Sequence, residues 1–309
     1  MTFSVTVLGS SSALPTSQRF PSAHVLNAHE RLFLIDCAEG TQIQLRRFKQ
    51  KMSRIDNIFI SHVHGDHTLG LVGLISTLNL LGRKNRLTIY AHASLQPILT
   101  QNINFFINDI NFTLEFRAID GKRSKIIFED DSISVESIPL KHRIPSNGFI
   151  FRETQKLPNI KKEYVEKYSI PLADIVRIKQ GADYTTSGGI AIANSELTYI
   201  SSLPRSYAYC SDTQYFEGLA EKVAGVDLLY HEATFGNDMQ KMAKATGHST
   251  AAQAAKIAKM AGVGKLIIGH FSSRYKDVSA LLEEARAIFP ETYSAEDGTE
   301  FNVATRKGL

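Results

Sequence analysis

The 309-residue chain has no tryptophan, nine prolines and only two cysteines, Cys37 and Cys210. Two cysteines cannot build a disulfide framework, and neither belongs to a Cys-x-x-Cys pair. No apolar run reaches the roughly 20 residues of a membrane span. The most apolar stretch, 69–81, is too short and contains Ser76, Thr77 and Asn79. Residues Met1–Val5 carry neither a basic segment nor a long apolar one, so a secretory leader is not expected and a soluble cytoplasmic protein is the default. A large charge of one sign is missing too: 35 Lys+Arg against 31 Asp+Glu leave +4. That balance permits a polyanionic partner without demanding one. No fixed-period repeat is visible, which sets solenoids aside.

What is present is an ordinary globular composition, 43% apolar and 21% charged, at a length that allows one large domain or two smaller ones. Alternating and β-branched runs predict strands at Phe3–Leu8, His24–Asn27, Leu32–Ile35, Ile55–Ile60, Leu87–Tyr90, Phe112–Phe116, Lys125–Glu129, Ile133–Ile138 and Gly148–Phe151. The later part adds Leu197–Ile200, Tyr207–Cys210, Leu228–Tyr230 and Leu266–Ile268. Helical periodicity predicts Glu39–Gln50, Leu69–Leu81, Leu95–Phe106, Tyr215–Val223, Ser249–Met260 and Val278–Ile288. Strands and helices interleaved in both halves point to two sheets covered by outer helices.

One stretch departs from the rest. Between Arg152 and Lys179 stand seven basic residues: Arg152, Lys156, Lys161, Lys162, Lys167, Arg177 and Lys179. Four acidic ones (Glu153, Glu163, Glu166, Asp174) oppose them, so an excess of three sits in under a tenth of the chain. Taken by itself this reads as a solvated helix at Lys161–Tyr168, between turns at Pro158 and Pro171, or as a binding arm.

The chemistry concentrates in His62-Val63-His64-Gly65-Asp66-His67. With ten histidines in the chain, chance would supply H-x-H-x-D-H in roughly one such chain in two thousand. In an extended segment leaving a strand, residues i and i+2 face the same way, so His62 and His64 can grip one cation. Gly65 permits a sharp turn that presents Asp66 and His67 to a second one. Imidazole with carboxylate suits zinc, with manganese or iron as competitors. Two cations need further ligands, and His142, Asp212 and His270 each follow a predicted strand, where sites on sheet scaffolds lie.

On these residues the chain resembles the metallo-β-lactamase superfamily. Within it, the chain is similar to the ribonuclease Z family of tRNA 3′-processing endonucleases. The motifs are Asp36-Cys37-Ala38-Glu39-Gly40-Thr41-Gln42, the 139–149 segment around His142, Ser211-Asp212-Thr213, His231-Glu232-Ala233-Thr234-Phe235 and Gly247-His248-Ser249-Thr250. The resemblance spans nearly the whole chain, and the HEAT and HST segments are its most specific part. It implies a mixed α/β (α+β) fold, a four-layer αββα sandwich forming one domain over 1–309, with an inserted tRNA-binding arm around 152–180. It further implies two Zn2+ per subunit, with Mn2+ or another divalent metal as substitute. His62, His64 and His142 would hold one ion and Asp66, His67 and His270 the other, with Asp212 bridging.

Asp66 would orient the attacking water. His248, held by Glu232, would protonate the leaving 3′-oxygen, Asp36 would support the ligands by hydrogen bonding, and His231 is either a further support of that kind or simply buried. The implied reaction removes the 3′ trailer of precursor tRNA, leaving a 3′-hydroxyl on the tRNA and a 5′-phosphate on the trailer. The implied assembly is a homodimer whose arm clamps the tRNA through Lys156, Lys161, Lys162, Lys167, Arg177 and Lys179. The chain departs from the family in three places. Ile170-Pro171 is followed by Leu172-Ala173-Asp174 and no Gly-Pro element, the N-terminal loop reads Pro15-Thr16-Ser17-Gln18-Arg19-Phe20 without the usual Lys and Asn, and Ala38 replaces a Gly. Rival readings are a small-molecule phosphodiesterase or other hydrolase on the same scaffold, a redox di-iron protein, and a metal-free RNA-binding scaffold. The basic insertion and the HEAT/HST pair count against the first, and His64, where the di-iron branch carries Glu, against the second.

Overall fold

The computed structural model describes residues 1–107 and 109–308. Its chain forms two compact units. The larger comprises Met1–Phe151 with Ser206–Val303, the smaller Arg152–Arg205 with Ala304–Leu309.

The larger unit holds two seven-stranded sheets. The first contains β1 (Phe3–Gly9), β2 (Ala23–Ala28), β3 (Arg31–Ile35), β4 (Ile55–Phe59), β5 (Leu87–Ala91) and β6 (Leu114–Ala118). The second contains β7 (Lys125–Glu129), β8 (Ile133–Leu140), β9 (Ser146–Glu153), β10 (Ser206–Cys210), β11 (Leu228–Glu232), β12 (Lys265–Gly269) and β13 (Thr292–Ser294), and β14 (Glu300–Asn302) returns to pair with β1. Strand orders are β14-β1-β2-β3-β4-β5-β6 and β13-β12-β11-β10-β9-β8-β7.

Side-chain alternation sorts the core into layers. Phe33, Phe59, Phe149, Phe151, Tyr207, Tyr209 and Tyr230 share one cluster between the sheets. Leu34, Ile58 and Ile89 face the helices Gly70–Leu80 and Leu95–Phe106, while Ala208, Leu229 and Ile268 face Ala251–Ala261 and Ser279–Arg286. Apolar faces on both sides of each sheet give the αββα arrangement.

Strands β3, β4, β5 and β6 run parallel, as do β10, β11 and β12. Their carboxyl ends carry the loops of interest: Asp36 after β3, His62 after β4, Asp212 after β10 and His270 after β12. The chain enters and leaves the smaller unit through β9 and β10, at the ends of those strands remote from Asp212 and Ser146. A neck closes this excursion: Glu153 N–H donates to the Arg205 carbonyl (2.9 Å), and the Arg205 guanidinium meets both Glu153 carboxylate oxygens at 2.9 and 2.7 Å.

The smaller unit has its own core of Ile170, Ile178, Ile192 and Leu197. It extends well past the expected 152–180, and it contains a helix the sequence reading did not place, Leu172–Lys179. Pro171 had marked a turn; it caps this helix instead, because proline lacks the N–H that a first helical turn leaves unused. The first long helix is shorter than Glu39–Gln50, running Thr41–Arg47, because Gly40 (φ 80°) and Lys49 (φ 55°) take left-handed backbone at its flanks. No helix among the described residues is long and apolar enough to cross a membrane.

Candidate metal centre

Seven side chains converge at the carboxyl ends of the two sheets. His62 Nε2 and His64 Nδ1 face each other at 2.9 Å, and His142 joins them. Asp66, His67 and His270 make a second group. Asp212 lies between the two, with one carboxylate oxygen for each. Oδ2 is 3.4 Å from His62 Nε2 and 3.8 Å from His142 Nε2; Oδ1 is 3.3 Å from His67 Nε2 and 3.1 Å from His270 Nε2. Asp66 Oδ2 is 3.5 Å from both His67 Nε2 and His270 Nε2.

Four of the five imidazoles, all but His64, are oriented by a partner on the other nitrogen, the arrangement that fixes a ligating histidine. His67 Nδ1 donates to Asp36 Oδ2 (2.7 Å), His142 Nδ1 to the Gly247 carbonyl (2.8 Å), and His62 Nδ1 pairs with Ser61 Oγ (3.0 Å). His270 Nδ1 meets Thr234 Oγ1 at 2.9 Å. The opposite nitrogens, Nε2 of His67, His142 and His270, are buried without a hydrogen-bond partner. Buried polar atoms left unpaired are costly in a folded protein. Three of them aimed at one carboxylate are what a divalent ion satisfies, so the donor set fits a two-ion site.

The charges agree. Burial pushes the Asp66 and Asp212 carboxyls up, but the surrounding imidazoles overcome it and hold both well below the usual carboxylate range. Burial keeps His62, His64 and His142 below the ordinary histidine value, the neutral form a metal needs. Asp36, Asp212 and His270 all have left-handed backbone (φ 56°, 56° and 60°). Such strain in non-glycine residues is held only where surrounding structure over-determines it, and it clusters at functional sites.

Beside this cluster, His248 Nδ1 donates to Glu232 Oε1 at 2.8 Å. Glu232 is fully buried and accepts from Thr213 N–H (3.0 Å), Thr234 N–H (3.1 Å) and Thr234 Oγ1 (2.7 Å). Burial works against the His248 charge, yet the Glu232 carboxylate raises its pKa to about 9. The Glu232 carboxylate thus favours the protonated form of His248, whose Nε2 is free of Glu232.

The structure thus brings His62, His64, Asp66, His67, His142, Asp212, His270, His248, Glu232 and Asp36 together. His231 is the exception. It lies on β11 between Tyr230 and Glu232, so alternation turns it to the helix-covered face that Leu229 occupies. It is buried there, and its Nδ1 donates to the Glu232 carbonyl (2.7 Å) rather than supporting a ligand. Two contributors escaped the sequence reading. Tyr209 reads as a core aromatic, but its hydroxyl crosses from the second sheet to donate to Asp36 Oδ2 at 2.7 Å. Gly247 (φ 78°) offers a carbonyl that no side-chain pattern reveals, and a Cβ there would lie 3.0 Å from His142 Nδ1. The expected arm residues lie in the smaller unit: Lys156, Lys162, Lys167 and Arg177 are exposed, Lys161 and Lys179 half-buried. Lys162 pairs with Glu166 (3.3 Å) and Arg177 with Asp174 (3.4 Å), exposed contacts too weak to remove either from use.

Family models match two segments: that of the Anti-Pycsar protein Apyc1 over 3–156 and that of the Beta-lactamase superfamily domain over 186–271. The ribonuclease Z of Phocaeicola vulgatus is 48% identical over 305 residues, covering 99% of each chain. That of Bacteroides fragilis is 48% identical over 295 residues, 96% of this chain and 97% of its own. Among solved structures, human tRNase Z, short form, superposes with a TM-score of 0.70 at 26% identity, over 97% of this chain and 99% of its own.

Proposed function

The chain belongs to the ribonuclease Z family of metallo-β-lactamase-fold nucleases and is a tRNA 3′-processing endoribonuclease; we propose that it cuts with two zinc ions held by the seven-ligand cluster. The observation that carries this reading is Asp212, with one oxygen directed at each histidine group. His62, His64, His142 and Asp212 Oδ2 would hold one ion, and Asp66, His67, His270 and Asp212 Oδ1 the other. When bound, the pair supplies a hydroxide near neutral pH and charge stabilisation at the phosphate.

The chain's own groups do the rest. Asp66 shares one oxygen between His67 and His270 and is positioned to take the proton of the attacking water. His248, whose protonated form Glu232 favours, gives its Nε2 proton to the departing 3′-oxygen. Water is the nucleophile, so the tRNA keeps a 3′-hydroxyl and the trailer a 5′-phosphate. Purified protein given a precursor tRNA with a 3′ trailer should release these two ends when the cut is mapped at nucleotide resolution. Ends bearing a 2′,3′-cyclic phosphate would refute the reading.

The basic arm supplies affinity for the tRNA body through phosphate contacts, which makes binding steeply salt-dependent. Replacing Lys161 and Lys162 together by alanine should raise KM for precursor tRNA about tenfold and leave turnover of a small phosphodiester unchanged. Equal losses on both substrates would remove the arm from tRNA binding.

A homodimer accounts for a further feature. On the outer helices, Leu69, Leu80, Leu81, Ile98, Phe105 and Phe106 form a set of exposed apolar side chains, Leu80 and Phe105 being 84% and 80% accessible. Large exposed apolar surface of this kind marks an interface. Phe105→Asp with Leu80→Asp should convert a dimer to monomers in sedimentation equilibrium; a wild-type chain that sediments as a monomer would discard the assembly.

A further inference from the structure

A recess of about 390 Å3 opens between the edge strands β6 and β7, lined by Tyr90, Arg117, Asp120, Arg123, Lys125 and Ser137 among others. Register places it at the metal-bearing end of the sandwich. Phe59 pairs with Tyr90, and Ala91 with Ala118, so β4, β5 and β6 end level with one another, and His62 leaves β4 there. In the other sheet Lys125 pairs with Ser137, near the end of β8 that leads to His142. The turn between β6 and β7 leans on the loop after His142, since a Cβ on Gly121 would come within 3.1 Å of the Pro145 Cβ. That loop is tied to the metal motif through Asn147 N–H, which donates to the Ser61 carbonyl at 2.9 Å.

The recess sets three cations, Arg117, Arg123 and Lys125, against one carboxylate, Asp120. Arg123 and Lys125 are exposed and have no acidic partner among the described residues, while Arg117 is shared with the half-buried Glu115 at 2.7 Å. The opposite flank of the centre, beside His270, is different. There a recess of about 370 Å3 is lined by Pro15, Thr16, Phe20, Glu39, Gln42 and Ile43 among others, with a carboxylate and no cation. Of the basic residues nearby, Arg19 spends its guanidinium on the Tyr275 and Lys276 carbonyls at 2.9 and 3.3 Å, while Arg274 and Lys276 are exposed.

The lining of the recess between β6 and β7 is thus net basic, and that of the recess beside His270 is not. In the substrate, phosphate density is highest on the double-stranded acceptor stem and lower along a single-stranded trailer. We propose that the recess between β6 and β7 binds backbone phosphates of the acceptor stem, with Arg123 and Lys125 as the principal contacts. This rests on the tRNA-processing reading and adds the direction in which the substrate lies. Shape and phosphate contacts, not base edges, are how duplex RNA is recognised, so the recess reads no sequence.

The test is the double variant Arg123→Gln/Lys125→Gln on three substrates: precursors with a one-nucleotide trailer, precursors with a twenty-nucleotide trailer, and bis(p-nitrophenyl) phosphate. KM should rise about tenfold for both precursors alike, the slope of log kcat/KM against log salt should become shallower by about 2, and small-diester turnover should stay unchanged. An unchanged KM, or a rise confined to the long trailer, overturns the proposal. Failure of the unaltered protein to cut any precursor would instead overturn the tRNA-processing reading itself.

Discussion

Replacing Asp212 by alanine should lower kcat on precursor tRNA by about 10⁴-fold, a rise of ~5 kcal/mol in the barrier. The loss is this large because one carboxylate serves both histidine groups, so its removal disturbs both cation positions at once. Bound zinc, measured by metal analysis after dialysis against a weak chelator, should fall below two per chain. Asp212→Asn separates the two duties of the residue. Asparagine tolerates the left-handed backbone that Asp212 adopts, so the loop should hold its shape while the charge is lost. If the asparagine variant keeps both ions and full activity, Asp212 does not bridge.

The second large effect falls on His248. His248→Ala should cost about 10³-fold in kcat on precursor tRNA, within the range of a lost general acid. On bis(p-nitrophenyl) phosphate the cost should be small, because p-nitrophenolate departs without a proton. Glu232→Gln should give an intermediate loss and a displaced pH profile. A general acid works only while protonated, so activity disappears as pH rises through its pKa. The Glu232 carboxylate raises that of His248 to about 9 against the pull of burial. Without the charge, burial prevails and the alkaline limb should move to lower pH by at least a unit. An alkaline limb that stays in place in the glutamine variant would assign proton donation elsewhere.

Much of this centre is legible in the sequence because metal ligation demands particular residue types at fixed spacing. His62, His64, Asp66 and His67 are recognisable from one six-residue segment, and His142, Asp212 and His270 from their place after strands. What is not legible is what a backbone or a distant side chain contributes. A tyrosine in the run Tyr207–Cys210 carries every mark of a core residue, and only the packing of two sheets reveals that the Tyr209 hydroxyl reaches Asp36. The Gly247 carbonyl that fixes His142 has no counterpart in residue type. His231 shows the reverse error: it stands next to Glu232 in the HEAT segment, yet the two-residue period of a strand sends neighbours to opposite faces. The helix Leu172–Lys179 was hidden by Pro171, since a proline before a helix and a proline in a turn look the same until the residues after it are seen to coil.

The neck formed by Glu153 and Arg205 has an evolutionary corollary. It already holds the two ends of the inserted segment together, so the entropy of closing that excursion grows only with the logarithm of its length. Residues can be gained or lost between the two ends at little thermodynamic cost. Reach toward different RNA bodies can thus diversify in this lineage while the chemistry of the cut stays fixed.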